Sequence, residues 1–136
     1  MFSTPGCGWV NITIGDWTDR ASYLTDPHIE ILKALINKYK NYTPATIKCD
    51  AEGWEYLIVI DDYDVFIIDD KNDDIDYTYR HFDINSKKLS QEVIEDIERD
   101  IDAWANWSYN EETPEELEKN KKELLKLIKE LRDLIE

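Results

Sequence analysis

Two D-x-D pairs, Asp62-Tyr63-Asp64 and Asp74-Ile75-Asp76, stand in the tract DDYDVFIIDDKNDDID (residues 61–76), where eight of sixteen residues are aspartate. Such pairs hold Mg²⁺ in some phosphoryl- and glycosyl-transfer sites, and in a strand residues i and i+2 share a face. A tract that is half aspartate also produces the pattern by chance, and no phosphate-cradling glycine loop accompanies it. Gly6-Cys7-Gly8 precedes a strand instead of following one and opening a helix. Read as a calcium loop from Asp70, the tract supplies Asp70, Asn72, Asp74 and Asp76. Ile75 and His81 then stand where the loop needs its turn glycine and its bidentate glutamate. No metal or cofactor is expected.

Nucleophilic chemistry has little to draw on. His28 falls in the first turn of a helix, where the macrodipole disfavours its charged form. His81 lies on a strand beside Arg80 and Asp83. Neither Cys7 nor Cys49 sits in a local catalytic motif, so Cys49 reads as a small core residue. A non-enzymatic protein is expected.

The acids then matter as a surface. The chain has 136 residues and a formal net charge of −15, with 42% hydrophobic residues, five Trp and eight Tyr. It can bury a real core and is no disordered acidic tail. Its charge is concentrated: residues 61–112 carry 17 acids and 5 bases, against 7 and 5 before them and 7 and 6 after. Such a field opposes nucleic acids and anionic membranes and attracts basic proteins. The expected partner-binding acids are Asp61, Asp62, Asp64, Asp69, Asp70, Asp73, Asp74 and Asp76 in the tract, and Glu95, Asp96, Glu98 and Asp102 on the helix after it. Tyr63, Tyr77, Trp107 and Tyr109 would be the aromatic anchors among them. The competing reading is that the acids only solvate, with Trp107 and Tyr109 shielding a helix end.

The elements that must position these residues follow from periodicity. WVNITI at 9–14 alternates as a half-buried strand, GDW at 15–17 is a turn, and RASYL at 20–24 suits a second strand. Asp26-Pro27 reads as an N-cap and first helical residue of an amphipathic helix ending before Asn41. Strands are expected at 45–49, 54–60, 64–68 and 76–82, with VFII supplying core. DAEG joins the first two of these, and Gly53 is available for positive φ. From Ser90, taken as an N-cap, Val93, Ile97, Ile101, Trp104 and Ser108 follow one helix face. TPEE at 113–116 forms a capping box opening a last helix on which Leu117, Leu124 and Leu131 repeat every seven residues.

These elements compose an α+β fold: an antiparallel sheet of about five strands, with one early helix and two C-terminal helices packed on it. Residues 1–109 would form the domain. Residues 110–136 would form an amphipathic helix packed on it or used for association, a homodimer included. With two distant cysteines, no basic segment in MFSTPGCGWV and no apolar run near the roughly 18 residues of a membrane span, a soluble cytoplasmic protein is expected.

At SYLTDPHIEILKALI (22–36), CDAEGWEYLIVI (49–60) and IERDIDAWANW (97–107) the chain resembles small acidic bacterial proteins of the toxin-immunity type, mostly from low-GC Gram-positive lineages. The resemblance lies in general layout, covers about residues 9–109 and brings no catalytic residues. It implies an immunity protein that neutralises a basic, nuclease-type bacterial toxin. Two other functions fit the same residues. One is a phage-encoded nucleic-acid mimic that inhibits a host defence nuclease, anti-CRISPR-like. The other is a metal-dependent enzyme using the Asp pairs.

Overall fold

The computed structural model describes residues 1–70, 77–108 and 112–136. These form an α+β fold, as expected, with six strands in two antiparallel sheets and four helices. A hairpin of β1 (Trp9–Ile14) and β2 (Trp17–Ser22) stands apart from a meander of β3 (Ala45–Asp50), β4 (Glu55–Ile60), β5 (Asp64–Asp69) and β6 (Thr78–Asp83), in that order across the sheet. The helices are α1 (Pro27–Asn41), α2 (Ser86–Arg99), α3 (Ile101–Ala105) and α4 (Pro114–Ile135).

Strand β2 begins three residues earlier than expected. Trp17, Asp19 and Ala21 alternate inward opposite Val10, Ile12 and Ile14, so pairing starts directly after a two-residue turn. Gly15 makes that turn at φ 58°, and a Cβ there would lie 2.7 Å from the Phe82 ring. The hairpin tip therefore rests on β6. Its other end is tied to the β3–β4 end of the sheet, where the Tyr56 hydroxyl donates to the Arg20 carbonyl (2.9 Å) and the Trp54 indole to Asp19 (2.9 Å).

Pro27 opens α1 as expected, but the side chain of Asp26 makes no capping hydrogen bond. The next helix starts at Ser86, not after Ser90. Asn85 Oδ1 accepts from the backbone N–H groups of Lys87 (2.9 Å) and Lys88 (3.2 Å), a cap as good as serine. Ser90 instead is buried in the helix, donating to the Ser86 carbonyl (2.8 Å). The helix also stops at Asp100, where the backbone leaves helical geometry, and α3 is a separate short turn.

One core joins these parts. Ile47, Cys49, Ile58, Ile60, Val65 and Ile67 on one face of the four-stranded sheet meet Ile31, Leu32 and Leu35 of α1, Val93, Ile94 and Ile97 of α2, and the inward residues of the hairpin. Helix α4 opens with the full Thr113–Glu116 capping box. It buries Leu124, Ile128 and Leu131 in the same core, while Leu117 is half-buried and Leu125 exposed. Polar links fasten it: Asn120 Nδ2 donates to the Ala105 carbonyl (2.9 Å), Lys121 pairs with Asp102 (3.1 Å) and Arg132 with Glu98 (2.5 Å). Among the described residues no helix is long and apolar enough to cross a membrane.

Candidate protein-binding surface

The acidic tract divides into residues with different duties. Asp61 and Asp64 close a tight turn, the Asp61 N–H donating to the Asp64 carbonyl (2.8 Å). Asp62 lies 2.5 Å from the Lys38 ammonium, whose side chain is only 4% exposed. Asp69 is nearly buried and accepts from the Thr78 hydroxyl (2.5 Å), and Asp70 accepts from the Glu55 N–H (2.8 Å). Asp73, Asp74, Asp76 and Tyr109, also expected at the surface that binds a partner, lie outside the described residues.

Asp62 is thus placed to hold α1 on the β4–β5 turn. Asp62→Ala is expected to cost about 1.5–3 kcal/mol, because it strips a buried ammonium of its charged acceptor. Asp61→Ala, an exposed change, should stay within about 0.5 kcal/mol. Urea unfolding of the two variants separates them, and equal costs would count against the ion pair.

The helix acids are similarly committed. Burial would raise the carboxyl of Asp96, but hydrogen bonds from the Met1 ammonium and the Phe2 N–H, with the charge of Arg99, outweigh it and hold the group below the usual carboxylate range. Glu98 and Asp102 secure α4, as above. Glu95 remains exposed, 3.5 Å from Gln91. Because α2 turns its apolar face into the core that the sheet also fills, its outward acids face away from the sheet's open side.

Trp107, expected as an anchor, is buried. Its indole donates to the Thr25 carbonyl (2.9 Å) and holds the loop before α1. Beside it His28 is 3% exposed and stacks on Trp104 with centroids 4.5 Å apart. Burial lowers its pKa to about 3. The same physics raises the Cys49 thiol to about 12, so that group is no nucleophile at neutral pH.

What remains open is a sheet face that the acid pattern did not reveal. The side of β3–β6 away from the core carries Leu57 and Val59 on β4, Phe66 and Ile68 on β5, and Tyr79 and His81 on β6. None of these six joins the core. Val59, Phe66 and His81 stand side by side across three strands, as do Leu57, Ile68 and Tyr79 in the next row. Phe66 contacts both aromatic neighbours, its ring centroid 5.8 Å from Tyr79 and 5.0 Å from His81. Exposed Tyr77 adjoins Leu57 and Ile68 at one end, and Tyr63 stands at the other.

Carboxylates frame this apolar centre. Asp50, Glu55 and Asp70 lie at one end of the strands, and Asp61, Asp64 and Asp83 at the other. Among the described residues Lys48 is the one lysine on the face, and it is paired with Glu55 (2.9 Å), whose hydrogen bond raises its pKa. The face is apolar in the middle, aromatic on one flank and negative at both ends. Among the described residues it offers no buried nucleophile beside a base.

Of the residues on this face, the expected set contained Tyr63, Tyr77, Asp61, Asp64 and Asp70, and it lacked Asp50, Glu55, Asp83, Leu57, Val59, Phe66, Ile68, Tyr79 and His81. The available signal was the unbroken apolar run in YLIVI and in VFII. A half-solvated antiparallel strand alternates with polar residues, whereas these strands are apolar on both faces. No protein family, curated protein or solved structure matches the chain.

Proposed function

We propose that the protein is a non-enzymatic binding protein that neutralises a basic protein partner through the open face of its four-stranded sheet. The observation that carries this reading is that β4 and β5 are apolar on both sides while, among the described residues, the helices and the hairpin cover only one. Large contiguous apolar patches with a polar rim are features of interaction sites. Among the described residues the rim here is six carboxylates and one paired lysine. Two copies placed face to face would bring like charges together at both ends, which disfavours self-association and favours a cationic partner. A nuclease-type toxin with a positively charged groove has the required chemistry, in keeping with the resemblance to immunity proteins. Rim acids would steer the encounter, and Phe66 and Ile68 would anchor it.

Capture from source-cell extract with wild-type protein and an Ile68→Asp variant in parallel tests the proposal. The expected result is a basic protein that the wild type retains, the variant loses, and rising salt releases steeply. Retention that ignores both the substitution and ionic strength would sink it.

A further inference from the structure

We infer that Asp64, His81 and Asp83 form a binding site for a divalent transition-metal ion of the zinc class. The three residues come together across the β5–β6 pair. Asp64 and Asp83 are direct partners in the register, and His81 is two residues from Asp83 on the same face. His81 Nε2 lies 2.6 Å from Asp64 Oδ1 and 3.8 Å from Asp83 Oδ1, and one ligand atom from each of the three residues lies within 4.8 Å of the others. Ligand atoms around a zinc ion, at about 2.0–2.2 Å from it, stand roughly 3–3.5 Å apart. Those separations bracket this range. Asp83 has a 94% exposed side chain that can swing inward without disturbing packing.

The strands supply rigidity, and the Phe66 ring lies against the imidazole. A metal ion would take the place between Nε2 and Oδ1 that a proton occupies in their present hydrogen bond. The donor set selects the class of ion. An imidazole nitrogen with two carboxylates suits zinc, nickel, cobalt or copper, whereas calcium asks for six to eight oxygens and magnesium for near-octahedral oxygen coordination. Three protein ligands leave a tetrahedral ion one open position, facing solvent on the uncovered side of the sheet.

This site shares only Asp64 with the D-x-D pairs that drew attention in the sequence. Asp62 of the first pair is bound to Lys38, and Asp64 reaches across the ladder instead. The site lies at the rim of the proposed docking face, but its test uses the isolated chain and so does not depend on the partner.

Calorimetric titration of the full chain with zinc chloride near neutral pH decides the matter, with His81→Ala and Asp83→Asn measured alongside. The expected result is one saturable, His81-dependent ion per chain, not displaced by millimolar magnesium. Each variant should bind at least about tenfold more weakly, a loss that removing even an outer-shell partner of a metal-bound histidine causes. Unchanged urea midpoints would show that the variants fold, as expected for exposed positions. No saturation by millimolar zinc, or equal binding by His81→Ala, would overturn the inference, the latter because the ion would then be gathered by other surface carboxylates.

Discussion

Acidification from pH 7 to pH 3 is expected to remove about 4–5 kcal/mol of folding stability through His28 alone. The folded-state pKa of this residue is lowered from 6.5 to about 3 by burial. Above pH 6.5 the imidazole is neutral in both states and the contribution is fully present. As pH falls below 6.5 the unfolded chain takes up a proton that the folded one refuses, so stability declines, by about 2 kcal/mol at pH 5. Near pH 3 the folded state also protonates and the loss levels off. Against a total of roughly 5–15 kcal/mol for a native domain this is a large share.

Other groups shift the wild-type curve in the opposite direction. Burial raises the pKa of Asp26, and that of Glu30, so their protonation favours the folded state as pH falls. Relief of the −15 charge acts the same way. The informative quantity is therefore the difference between wild type and His28→Phe, which keeps an aromatic ring against Trp104. Urea midpoints at pH 7.5, 6, 5 and 4 should give a difference that changes steadily with pH below 6.5. A difference independent of pH would mean that His28 takes up its proton equally readily in the folded and unfolded chain.

Phe66→Ala is expected to weaken the proposed complex by at least about 2 kcal/mol, or roughly thirtyfold, while costing the isolated protein about 1 kcal/mol or less. The ring lies at the middle of the open face, where anchors surrounded by other contacts and shielded from water carry most binding energy. It is only half buried in the free protein, so its removal leaves no closed cavity. The loss should appear in the dissociation rate. Asp61→Asn and Asp83→Asn, at the rim, should instead slow association and flatten its salt dependence. Glu95→Gln, on the helix side, should change neither. If Glu95→Gln weakened the complex and Phe66→Ala did not, the docking surface would belong on α2.

The contrast between Phe66 and Glu95 shows how far local pattern reaches. Pro27 at the first turn of α1, the Thr113–Glu116 box of α4 and the alternation of β1 were legible because each depends on residues one to four positions apart. The start of α2 was misplaced because Asn85 and Ser90 are both acceptable caps and local preference does not choose between them. For Asp62 no local feature announces a lysine 24 residues earlier in the chain. For Asp64 the partners His81 and Asp83, 17 and 19 positions later in the chain, come only from the β5–β6 register.

Composition and local spacing were enough to establish an acidic α+β protein with most of its strands and helices approximately placed, and with no recognisable catalytic motif. Two things lay beyond them. Which carboxylates are already paired depends on contacts between distant segments. Which side of VFII stays uncovered depends on where the hairpin and helices settle, because an apolar run is compatible with burial on either face. The layers cover Val65 and Ile67 and leave Phe66 and Ile68 partly exposed, and that choice makes the outer side of an apolar strand the surface proposed above for the partner.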